Sequence, residues 1–73
     1  MKDYGVALFH TTSAALKAEK ALLGAGLAVR PIPTPRQFSS DCGMALRFDW
    51  SLAEVAEEAL RIAGLEHAGV RKL

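Results

Sequence analysis

The chain has 73 residues, enough for one domain spanning 1–73 and too few for two. Nine Lys+Arg against eight Asp+Glu give a formal charge of +1, which argues against the basic surface of a general nucleic-acid binder; 51% hydrophobic and 23% charged residues argue against intrinsic disorder. A single cysteine excludes an internal disulfide and a cysteine-rich zinc site, so packing or association must hold together a chain that buries only about 60% of its unfolded surface.

Tyr4 to Phe9 is a short apolar run ended by His10, Thr11, Thr12 and Ser13, which reads as a buried strand. Thr12 or Ser13 is expected to cap a helix running to about Gly24. Ala15, Leu16, Ala18, Leu22 and Leu23 fall on one side of it, and Gly24 and Gly26 offer a left-handed exit. Leu27 to Ile32 reads as a second strand. Pro31 and Pro33 cannot donate ladder hydrogen bonds, which puts that strand at an edge. Pro33 to Cys42 is a loop. Gly43 to Phe48 is a third strand, with Met44, Leu46 and Phe48 on one face and Ala45 and Arg47 on the other.

Ser51 and Glu54 have the spacing of a capping box, and Trp50 and Val55 that of a hydrophobic staple. The helix they open is expected to bury Leu52, Val55, Ala56, Ala59, Leu60 and Ala63, and Gly64 ends it. Ala68 to Leu73 can form a last strand. The order βαββαβ is the α+β, ferredoxin-like plan: an antiparallel four-stranded sheet in order 4-1-3-2, with both helices on one face. That order independently puts the proline-bearing strand at an edge. Strand one is apolar on both faces, so the uncovered face is expected to expose an apolar patch, suited to a homodimer or a docking partner.

This topology gives the lone cysteine a position. The end of strand one and the start of strand three meet at one end of the sheet, so Cys42 and Gly43 are expected beside His10, Thr11 and Thr12, which open the first helix. That helix has no carboxylate before Glu19, whereas the second carries Asp49 and Glu54 near its start. Uncompensated N–H groups and Arg36 in the cysteine's loop would favour a thiolate; Asp41 opposes them. Ser39 and Ser40 add hydroxyl donors, and Gly43 leaves the backbone approachable. His10 could orient or deprotonate the thiol, or simply bond to backbone. Cys42, His10 and His67 could lie near one edge, but no spacing motif supports a metal, and neither metal nor organic cofactor is expected.

Phe9-His10-Thr11-Thr12, Ala18-Glu19-Lys20, Pro33-Thr34-Pro35-Arg36 and Ser39-Ser40-Asp41-Cys42-Gly43 together resemble the small bacterial family of selenium/sulfur carrier-like proteins. The resemblance runs from about Tyr4 to Phe48; beyond Trp50 it is general. It implies that Cys42 holds sulfur or selenium as a persulfide or selenopersulfide, as a carrier rather than an enzyme. The atom would come from a donor such as a cysteine desulfurase and pass to an acceptor protein. The lack of a second cysteine fits transfer, because a resolving thiol would divert the persulfide to a disulfide. A second reading is a non-catalytic dimeric interaction or small-ligand-binding module in which Cys42 is incidental. RNA-recognition domains share the βαββαβ order, but strand three lacks their stacking aromatics, so no nucleic-acid partner is expected. Tyr4 to Leu16 is too short and too polar to span a bilayer, and a free thiol without an export signal leads to the expectation of a reducing cytoplasm.

Overall fold

The computed structural model describes residues 3–38 and 43–73. Strand β1 (Tyr4–Leu8) is followed by helix α1 (Thr12–Gly24), β2 (Arg30–Pro33), β3 (Met44–Asp49), a 3-10 turn (Trp50–Leu52), α2 (Ala53–Ile62) and β4 (Gly69–Lys72). The four strands form one sheet in the order β2-β3-β1-β4, and every neighbouring pair is antiparallel. Read from the other edge this is 4-1-3-2, the ferredoxin-like order, with Pro31 and Pro33 on an edge strand as their missing N–H groups require.

Alternation along the strands makes two cores. Ala7 and Phe9, with Leu46 and Phe48 of β3 and Val70 of β4, face α1 and α2 and pack on Ala15, Ala18, Leu22, Ala56 and Leu60. Burying a side chain such as Phe9 or Leu46 contributes about 1.5–3 kcal/mol. The helices end alike. Gly26 at φ +85° and Gly64 at φ +70° follow the caps. Leu27 N–H then donates to the Leu22 carbonyl, and Leu65 N–H to that of Leu60, at 3.0 Å each. These are Schellman closures whose apolar contacts join each helix end to the core.

Several local expectations are corrected. The strand expected from Leu27 begins only at Arg30, because Leu27 is drawn back against Leu22 by the α1 closure. Thr11, not Thr12 or Ser13, caps α1, its hydroxyl oxygen accepting from Ala14 N–H at 3.0 Å. The Ser51–Glu54 capping box does not form. Asp49 accepts from Ser51 N–H at 3.0 Å and from Ser51 Oγ at 2.8 Å, which makes the 3-10 turn, and α2 starts at Ala53 without a side-chain cap. Val55 is 51% exposed, so the staple is absent; Trp50 instead lies over Gly5.

Leu16 and Leu23 are each 52% exposed, and Ala63 is exposed as well. Leu16 and Leu23 each sit one residue, about 100° of helix turn, beyond Ala15 and Leu22. The alanines at 15 and 18 bring α1 close to the sheet on a narrow stripe, and that rotation carries both leucines off it.

On the other face, Val6, Leu8 and Ala45 are also buried, at 0%, 5% and 0% exposure. Ile32, Phe38 and Ala68 pack against them. Thr34 N–H donates to the Gly43 carbonyl and Phe38 N–H to that of Pro35, which folds the start of the β2–β3 loop so that Phe38 reaches this cluster. The apolar patch expected on this face is therefore covered within the chain.

Candidate functional site

The expected meeting of elements is present. Leu8, the last residue of β1, pairs with Ala45 of β3 and with Gly69 of β4. His10 and Thr11, just beyond β1, and Gly43, just before β3, thus sit at the same end of the sheet. His67 arrives there too, since Ala68 N–H donates to the Leu8 carbonyl at 2.6 Å. Of the residues expected around the thiol, His10, Thr11, Thr12, Arg36 and Gly43 are described; Ser39, Ser40, Asp41 and Cys42 lie outside the described residues.

The electrostatic contrast between the helix starts holds. The first turn of α1 contains no acidic residue, while α2 has Glu54 in its first turn and the preceding 3-10 turn is capped by Asp49. The first turn of α1 thus brings no carboxylate of its own to the positive end of the helix, which the neutral hydroxyl of Thr11 caps. Arg36 is exposed in the turn that follows β2. Gly43 is exposed, and a Cβ added to it would meet no atom of the described residues within 4 Å.

His10, Glu57, Arg61, Leu65, Glu66 and His67 line a cavity of about 350 Å³. Nδ1 of His67 is buried and has no hydrogen-bond partner among the described residues. The sequence reading placed both histidines near one edge and did not single out Glu57 and Arg61, which are exposed on α2 and join that lining. Their i,i+4 spacing on α2, on the turns facing the β4 approach, is the signal that was available. Arg61 Nε donates to Glu58 at 3.1 Å, and its Nη2 pairs with the other carboxylate oxygen. That guanidinium holds the Glu58 carboxyl below the usual glutamate range. Among the described residues no three His, Cys, Asp or Glu side chains are grouped to hold a metal ion. None of the described helices is long and apolar enough to cross a membrane.

The sequence profile of the family described as "Putative Se/S carrier protein-like" matches residues 4–72. The chain belongs to this family. The match covers β1 through β4 and so extends past Trp50, where the resemblance read from individual motifs had thinned to a general likeness. No curated protein and no solved structure matches the chain significantly.

Proposed function

We propose that this member of the selenium/sulfur carrier-like family carries a chalcogen atom on Cys42. The family match over residues 4–72 carries the reading, in a chain with one cysteine. In the sulfur case, the Cys42 thiolate attacks the outer sulfur of a persulfide on a donor such as a cysteine desulfurase. The donor's S–S bond breaks, its thiolate leaves, and Cys42 holds the persulfide. A thiolate on the acceptor then attacks that outer sulfur, and Cys42 departs as thiolate. Sulfur moves at constant oxidation level, so no external oxidant or reductant is needed. Selenium follows the same steps as a selenopersulfide.

Three features support the chemistry. The first turn of α1 contains no acidic residue, so the positive end of that helix favours a nearby anion. Arg36 adds a cation to the cysteine's loop, against the opposing charge of Asp41. His10 stands at the same end of the sheet as a candidate proton acceptor for the thiol. In the test, the protein is incubated with a cysteine desulfurase and cysteine and then weighed intact. One added sulfur, mapped to Cys42 and removed by reductant, is expected. No adduct from sulfur or selenium donors would contradict the proposal.

The cavity beside His10 and His67 favours a second reading, a small-ligand-binding module. Its lining of two histidines, two glutamates and an arginine is suited to a polar, hydrogen-bonding ligand. Cys42→Ala separates the two: a carrier loses transfer with its fold intact, whereas a module keeps its ligand.

A further inference from the structure

The sheet face away from α1 and α2 carries a row of arginines. Register puts Arg30 of β2 directly opposite Arg47 of β3, Arg47 opposite Val6 of β1, and Val6 opposite Arg71 of β4. Three strand spacings separate the ends of the row, about 14 Å. The stems of Arg47 and Arg71 flank Val6, which is fully buried although no helix covers it. The Arg47 guanidinium lies over the Tyr4 ring, 4.4 Å from its centroid. Arg71 Nη1 donates to the Val70 carbonyl at 3.1 Å, and its guanidinium lies so close to Gly69 that an added Cβ there would approach Nη1 to 2.9 Å. Arg47 and Arg71 are thus held by neighbours rather than swinging free.

None of the three arginines forms an ion pair among the described residues; the pairs found are Arg61–Glu58 and Lys72–Asp3. Like charges directly opposite each other on a sheet are destabilising, so Arg30 facing Arg47 is a cost, which Asp49 of β3, the carboxylate on the same face, offsets only in part against three arginines. Glu54, Glu57, Glu58 and Glu66, by contrast, lie on α2 and just after it. An anion bridging the row would relieve the repulsion.

We infer that this face docks the acidic surface of a partner protein, with carboxylates that meet Arg30, Arg47 and Arg71. The inference stands apart from the carrier chemistry, because it uses none of the residues around Cys42. Protein carboxylates fit better than a nucleic-acid strand. The outward positions of β3, Ala45, Arg47 and Asp49, offer no ring for a base to stack on, and the rings on this face are engaged, Tyr4 beneath Arg47 and Phe38 against Val6, Leu8 and Ala45.

The test uses the whole chain with fluorescein-labelled decaglutamate, and labelled oligo(dT) as the rival, by fluorescence anisotropy. Decaglutamate is expected to bind, more weakly as salt rises. The R30Q/R47Q/R71Q variant should lose about tenfold in affinity, the worth of three exposed ion pairs. A K17Q/K20Q variant on α1 should bind unchanged. Circular dichroism should show the triple variant folded like the parent, the relieved repulsion working against the lost Arg47–Tyr4 contact and stem packing. Absence of decaglutamate binding, equal loss in both variants, or tighter binding of oligo(dT) would overturn the inference. So would concentration-dependent self-association that the triple variant abolishes, which would make a second copy the occupant.

Discussion

Gly5→Ala sets two effects of opposite sign against each other. Gly5 is buried in β1, opposite Phe48 and Lys72. Glycine in a strand is ordinarily a weakness, and alanine should return about 0.5–1 kcal/mol through the unfolded chain. Here, however, a Cβ would stand 2.4 Å from Trp50 Cε3, 3.0 Å from Cζ3 and 3.2 Å from the Arg71 carbonyl oxygen. The ring cannot yield cheaply, because Trp50 packs against the helix-side core and its backbone N–H donates to the Asp3 carbonyl at 3.0 Å, fixing the residue's place in the turn. Overpacking of this kind costs about 1–3 kcal/mol. The clash should therefore prevail by about 1–2 kcal/mol, which in a domain this small lowers the melting temperature by about 4–8 °C per kcal/mol. The chain's one tryptophan is the contact itself. Thermal melts followed by circular dichroism and by Trp50 fluorescence would read stability and local packing together. In a Trp50→Leu background the same substitution should cost less, giving a coupling in the double-mutant cycle. A Gly5→Ala protein as stable as the parent, with unchanged emission, would refute the close approach of β1 and Trp50.

Three other outcomes follow from the packing. Phe38→Ala should uncover Val6, Leu8 and Ala45, lowering stability by about 1–2 kcal/mol and raising binding of an apolar dye; unchanged dye binding would mean that Phe38 does not cover the face. Gly64→Ala forces a side chain into φ +70° and should cost about 1–2 kcal/mol in urea unfolding, with an unchanged midpoint counting against the left-handed closure of α2. The Glu58 carboxyl should titrate by NMR below the ordinary glutamate range, and Arg61→Gln should return it there. A carboxyl depressed in the folded state adds stability above its unfolded value and loses it as pH falls through the folded one. This pair is fully solvent-facing, so Arg61→Gln should scarcely move the melting temperature.

The βαββαβ element order and the prolines of β2 were enough for the sheet order, and period-two alternation in β1 and β3 for the faces, because each records which face or edge a residue can occupy. Gly26 and Gly64 marked the helix ends for the same kind of local reason. What escaped the sequence depends on competition between neighbours. Ser51 and Asp49 both suit a cap, and only the short turn after β3 decides for Asp49. Leu16, Leu23 and Val55 look buried by periodicity, yet a helix packed through alanines needs a narrower stripe. Phe38 reads as a loop residue, and its reach onto Val6 and Leu8 depends on the turn at Pro35. At the candidate site, topology brought His10 and Gly43 to one end of the sheet as the element order implied. The cavity with Glu57, Arg61 and His67 needed the course of α2 and the chain after it, which no local motif encodes.

Cys42 loading tests the central claim most directly. The protein and its Cys42→Ser variant are each incubated with a cysteine desulfurase and cysteine, weighed intact, and then offered to a thiol acceptor. The account predicts one sulfur atom on the parent, on Cys42, lost to the acceptor, with none on the variant. A parent that gains nothing from sulfur or selenium donors, or a variant that loads equally well, would contradict it.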